Sequence, residues 1–182
     1  MGWKDLFKKK APPAPDPLHG LTLDKLKNGY ILDYDMRTWE VTAYNTYEWG
    51  EGDVSKEWQL VSSDDIIYLE REMDDEVSWS VNRTFDFKLL GPEIRSYILK
   101  HDDPPDEIQY DGVTYYMEES AGGHFRKDGV GPQEELIRWS YMDEAEERYL
   151  TIEQWGEDDF EASTGTPAEE YQFSNILPRQ PS

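Results

Sequence analysis

The chain has no cysteine among its 182 residues. That excludes a disulfide scaffold, thiolate metal ligation and a cysteine nucleophile, and it fits a reducing compartment. Histidine is scarce as well: His19, His101 and His124 are the whole set. None pairs at i, i+4 and no H-E-x-x-H occurs, so a histidine-based zinc site is not expected. Basic residues are few, with 18 Lys and Arg against 40 Asp and Glu and a formal charge of −22. Nucleic-acid binders carry a basic footprint, so this balance argues against nucleic acid and suits a basic protein or a cationic ligand. No apolar run approaches the ~20 residues that cross a bilayer, and the N-terminus lacks the apolar core of a secretion signal. Phosphate-binding glycine loops, a G-x-S-x-G elbow and calcium-loop spacing are all missing. No catalytic, cofactor-binding or metal-ligating residue is therefore nominated.

What the chain does have is aromatic side chains, 14% of residues, within a hydrophobic total of only 37%. Few large rings can build a core, because each buries much area. Residues 1–17 differ from the rest. "MGWKDLFKKK" is basic and "APPAPDP" is proline-rich, which predicts a flexible tail on an extended spacer. Trp3, Leu6 and Phe7 share one side of a short helix, and Lys8, Lys9 and Lys10 follow. That pattern suits a contact with an anionic membrane surface or a partner, although a frayed terminus has the same composition.

From Leu18 the chain reads as mainly β. "LTLDKLKNGY" predicts one or two helical turns ended by Asn28-Gly29. From Tyr30 the apolar period becomes two, and segments rich in β-branched and aromatic residues follow one another between acidic or glycine turns. Pro92, Ile94, Tyr97 and Ile98 mark "PEIRSYILKH" as the one strong α-helix. "HDDPPDE" then breaks the chain as a connector, and strands resume. "GGHFRKDGVG" reads as a hairpin loop.

Two blocks echo each other. Tyr34-Asp35 with Thr38 and Trp39 matches Tyr110-Asp111 with Thr114 and Tyr115. "YLERE" from Tyr68 matches "YLTIE" from Tyr149, with Trp58 and Trp139 ahead of them. The expectation is an internal repeat: two pseudo-repeated antiparallel meander lobes packed as one unit, with a short leading helix and a helix at the junction. The boundaries are 18–100 for the first lobe with its junction helix and 101–182 for the second. A small sheet buries little surface alone, so two would cover each other.

"LTLDKLKNGYILDYDMRTWEVTAY", "KEWQLVS", "IIYLERE", "RYLTIEQWGEDDFEAS" and "NILP" together resemble the bacterial family catalogued as domain of unknown function 4178. The resemblance covers about Leu18 to Pro178 and implies no catalytic signature.

Trp39, Trp58, Tyr68, Glu72, Trp139, Tyr149 and Glu153 are the candidate groove for a cationic small molecule such as a polyamine, through charge attraction and cation–π contact. Strand-borne tryptophans are more often the material of a core. Glu72 and Glu153 end matching strands, where they suit an acid/base pair or ion pairs with Arg71 and Arg148. Three readings of function follow. The first is a non-enzymatic accessory or adaptor protein, cytoplasmic and peripheral at the inner membrane, with a protein partner. The second is a binding module for a cation, and the third an acid/base enzyme using paired carboxylates.

Overall fold

The computed structural model describes residues 20–50 and 52–178. The candidate contact residues Trp3, Leu6, Phe7, Lys8, Lys9 and Lys10 lie outside them. The described chain is one eleven-stranded antiparallel sheet: β1 (Ile31–Tyr34), β2 (Arg37–Gly50), β3 (Asp53–Val61), β4 (Ile66–Met73), β5 (Val77–Phe85), β6 (Glu107–Tyr110), β7 (Val113–Lys127), β8 (Gln133–Asp143), β9 (Tyr149–Gln154), β10 (Phe160–Ala168) and β11 (Ser174–Leu177). The α-helix α1 (Pro92–His101) lies where its pattern placed it, and Ile94 and Ile98 are its buried residues. The expected leading helix is a single 3-10 turn, Leu23–Lys25; the Thr22 hydroxyl bonds the Asp24 carboxylate and caps no backbone N–H.

The repeated Tyr-Asp phrase is turn chemistry. Asp35 and Met36 have φ of 49° and 59°, and Asp111 and Gly112 have φ of 48° and 76°. Each pair is the two-residue loop of a tight hairpin, closed by Tyr34 opposite Arg37 and by Tyr110 opposite Val113. Left-handed φ at both central residues is what the primed turns require.

Strand order is β11-β1-β2-β3-β4-β5-β10-β9-β8-β7-β6, and β2 also pairs with β7. That extra pairing, from Asn45 opposite Lys127 to Glu48 opposite His124, closes eight strands into a ring. Both long strands shift register on the way, β2 between Val41 and Ala43 and β7 between Met117 and Glu119. Such bulges bend a strand. They let β2 leave β1 and reach β7, and let β7 leave β6 and reach β2. The stretch "GGHFRKDGVG" does hold the β7–β8 hairpin turn, at residues 128–132, but the turn is shorter than the whole stretch: β7 runs on through Gly122 and Gly123 to Lys127. A Cβ on Gly123 would come within 2.4 Å of the Trp49 ring, so the seam needs a residue without a side chain.

Alternation along each strand sorts apolar from polar residues. Trp58, Leu60, Ile67, Leu69, Trp79 and Val81 join Leu23, Leu26, Leu32, Trp39 and Val41 in one apolar cluster, to which Ala168 and Phe173 return from the far end of the chain. Trp139, Tyr141, Leu150 and Ile152 form a second cluster with Ile94, Ile98, Phe87, Leu90, Ile108 and Tyr115. The connector serves this second cluster, since Asp103 accepts the Trp139 indole N–H and the Pro105 carbonyl accepts the Tyr141 hydroxyl. Alternating with these residues, Glu57, Tyr68, Glu70, Asn82, Arg138, Thr151 and Glu153 turn the other way and line a common interior.

Candidate functional site: a carboxylate-lined lumen

The interior is a cavity of about 360 Å³ bounded by residues of all eight ring strands. Small closed barrels have room for their own side chains or one small ligand. Among the described residues six carboxyls line it, Glu57, Glu70, Glu134, Glu153, Asp159 and Glu161, with Arg138 as the only basic residue in the lining. Tyr47, Tyr68, Phe125 and Trp155 supply the aromatic wall.

Arg138 organises one end. It leaves β8 directly opposite Glu153 on β9 and crosses the interior to Glu70 on β4. Its Nη1 lies 2.5 Å from Glu70 Oε1 and 3.7 Å from Glu72, and its Nη2 lies 2.8 Å from Glu153. The guanidinium also sits 4.5 Å from the Tyr47 ring centre and 4.6 Å from that of Trp49. Those two rings are parallel within 2°. Arg138 and Glu70 are both buried. Burial would favour the neutral guanidine, but Glu70 and Glu153 outweigh it and hold the charge firmly. Sequence reading offered Arg71 and Arg148 as partners for the two glutamates; the structure supplies Arg138, whose register was not visible from local spacing.

Glu57 faces Glu70 across β3 and β4. It accepts hydrogen bonds from Asn45 Nδ2 at 3.0 Å and the Tyr47 hydroxyl at 3.3 Å. Burial, then the Glu70 charge, push its carboxyl up to about 7. The same causes push Glu72 to about 7, yet 55% of that side chain is exposed, so water screens it and Glu57 is the firmer case. Burial with Glu153 and Asp159 raises Glu161, and burial with Glu57 raises the Tyr47 phenol well above its usual range.

One atom in the wall is conspicuous. Asn45 is 9% exposed, and its Oδ1 has no hydrogen-bond partner among the described residues. The buried Trp155 Nε1 has none either. Unmade buried hydrogen bonds cost about 1–3 kcal/mol each, so such atoms point to something that completes them.

The candidate groove residues separate into three places. Trp39, Trp58 and Trp139 are buried in the apolar clusters. Tyr68 and Glu153 line the main chamber. Glu72 and Tyr149 line a second hollow, of about 310 Å³, whose wall shares Glu70, Asn82, Arg138 and Thr151 with the main chamber. Asn45, Glu57, Arg138 and Glu161 escaped the sequence reading. For Glu57 and Arg138 the signal was a polar residue beside a strand tryptophan, Glu57-Trp58 and Arg138-Trp139, which marks a second inward face.

The model of the family described as domain of unknown function DUF4178 matches residues 27–170, and the chain belongs to that family. A protein of Aquifex aeolicus (strain VF5), described as an uncharacterized protein, is 27% identical over 97% of this chain and 96% of its own length. No solved structure matches the chain. Among the described residues, no helix is long and apolar enough to cross a membrane.

Proposed function

We propose that this DUF4178 member is a non-enzymatic accessory protein whose lumen holds a small organic cation of the polyamine class. The observation that carries this reading is the buried, unpartnered Asn45 Oδ1 at the wall of a chamber with six carboxyls and one guanidinium. An ammonium donates to an amide oxygen and a carboxylate together, and the flanking rings favour a cation near their faces. Calorimetric titration with spermidine at about 0.15 M salt tests it, because diffuse attraction to the acidic surface is screened there. Saturable heat that Asn45→Ala abolishes supports the site. Heat that vanishes with salt, or that Asn45→Ala leaves intact, defeats it.

A second reading, acid/base catalysis, is favoured by one observation: Glu57 is pushed up to about 7, where a carboxyl can both take and give a proton. It would require turnover that Glu57→Gln removes.

The accessory reading includes a cytoplasmic setting and a reversible contact of Trp3, Leu6, Phe7, Lys8, Lys9 and Lys10 with an anionic membrane surface or a protein partner. Each lysine near such a membrane contributes about 1 kcal/mol. Flotation with anionic vesicles, comparing the full chain with one starting at Leu18, tests the contact; equal recovery of the two rules the segment out as an anchor. We also propose that the two halves are a duplication. Trp58 opposite Leu69 and Trp139 opposite Ile152 set the correspondence, which equates Glu70 with Glu153.

A further inference from the structure

Two pairs of glutamates face each other directly across neighbouring strands. Glu57 on β3 is opposite Glu70 on β4, and Glu153 on β9 is opposite Glu161 on β10. Directly opposed residues bring their Cβ atoms within about 5 Å, and like charges placed so repel. Arg138 relieves one member of each pair, Glu70 at 2.5 Å and Glu153 at 2.8 Å. The other members, Glu57 and Glu161, both line the chamber and have no basic partner among the described residues. A single guanidinium thus half-neutralises two acidic pairs and leaves two carboxyls over.

The two sit at different depths and on different sides. Glu57 lies inward, beside Asn45, whose Oδ1 is unpartnered. Glu161 is exposed, as is Asp159, which also lines the chamber. Around the ring of eight, β3 and β10 are three strand steps apart, about 14 Å along the sheet at ~4.8 Å per step. Each pole has its own acceptors, Glu57 with Asn45 Oδ1 and Glu161 with Asp159, and one flexible chain with a charge at each end can serve both.

On the cation-binding reading above, we infer that the lumen's ligand is a linear dication held end-on. Its inner ammonium sits at Glu57 and Asn45 Oδ1 and its outer ammonium at Glu161 and Asp159. The methylenes between pass the apolar faces of Phe125 and Tyr68, which also line the chamber. Arg138 fixes the neighbouring carboxylates Glu70 and Glu153 so that the ligand meets the two free ones. An elongated diamine therefore gains over a monoamine of the same carbon count, which reaches one pole.

Calorimetry of the full chain with putrescine and with n-butylamine, at about 0.15 M salt, tests this. Putrescine should bind at least about tenfold more tightly, a difference of about 1.4 kcal/mol. Glu161→Gln should bring putrescine down to the butylamine level. Glu57→Gln should weaken both. Unaltered far-UV circular dichroism and melting of Glu161→Gln keep the comparison clean, since that side chain is exposed. Equal affinities for the two amines, or putrescine binding indifferent to Glu161→Gln, overturn the dication while leaving a cation site. Failure of either amine to bind overturns the cation site itself, and the dication with it.

Discussion

Arg138 on β8 and Glu70 on β4 are 68 residues apart in the chain and 2.5 Å apart in the interior, where both are buried. This contact spans the lumen between strands that do not pair with each other. Removing one partner of a buried pair strands the other charge and costs about 3–5 kcal/mol. Arg138→Ala should lose stability of that order in urea unfolding, and it also forfeits packing on Tyr47 and Trp49. Adding Glu70→Gln and Glu153→Gln to Arg138→Met should recover most of the loss, because the charges left behind are then gone. A triple variant no more stable than Arg138→Ala would show that the charges are not the cause.

The two hairpin turns make a reciprocal experiment. Met36 is fully exposed with φ of 59°, and Gly112 occupies the matching turn position with φ of 76°. A residue with a Cβ pays about 1–2 kcal/mol in the left-handed region. Met36→Gly should therefore stabilise the fold by about 1 kcal/mol, and Gly112→Met should destabilise it by a similar amount, since only the backbone resists a side chain there. Thermal melting of the two variants checks the pair.

The carboxyl of Glu57 sets a pH dependence. In the folded chain it keeps its proton up to about 7, against 4.5 for an unperturbed group. Between those values the native state binds more protons than the unfolded state, so its contribution to stability falls as pH rises through the window. Glu57→Gln cannot ionise and lacks this slope. Relative to the parent it should gain on the order of 2 kcal/mol near pH 8, with the gap closing by about pH 4. Urea unfolding across that range reads the difference; a gap independent of pH would contradict it.

Ligand binding should follow the same carboxyl in the opposite sense. Asn45 and Tyr47 face Glu57 from β2, Glu70 from β4, Arg138 from β8 and Glu153 from β9. A neutral Glu57 offers a cation less than a carboxylate does. Putrescine affinity should therefore fall as pH drops below about 7, and binding should release protons from the site. Calorimetry in two buffers of different ionisation enthalpy measures that release directly.

Most of the strands, the glycine and acidic turns and α1 were legible because each rests on local rules: a period of two, turn residues, a proline at the first helical position. Closure of the ring was not. The pairing of Asn45 with Lys127 joins residues 82 apart and rests on two bulges, and neither has a sequence signature. The hairpin turn after β7 was legible, but Gly122-Gly123 made its loop look longer than it is, because a glycine pair reads as a loop until the Trp49 ring beside it is seen. The landmark Tyr68–Tyr149 matched two glutamates, Glu72 and Glu153, that the pairing register separates. Trp58 opposite Leu69 and Trp139 opposite Ile152 instead put Glu70 and Glu153 each one residue past a tryptophan's cross-strand partner, and both meet Arg138. Alternation says which residues share a face, but not which face lies across from it, and so the lumen stayed hidden.

The cation site is tested most directly by following the Asn45 side-chain amide and the Trp155 indole N–H by NMR during a putrescine titration at constant salt. Both groups belong to the chamber wall and carry its two unpartnered buried atoms. Binding in the lumen should shift both resonances along one saturable curve, with the Trp58 indole N–H, which is bonded to the Leu26 carbonyl in the apolar cluster, unmoved. Shifts spread over the acidic surface, with Asn45 and Trp155 silent, would contradict a site in the lumen.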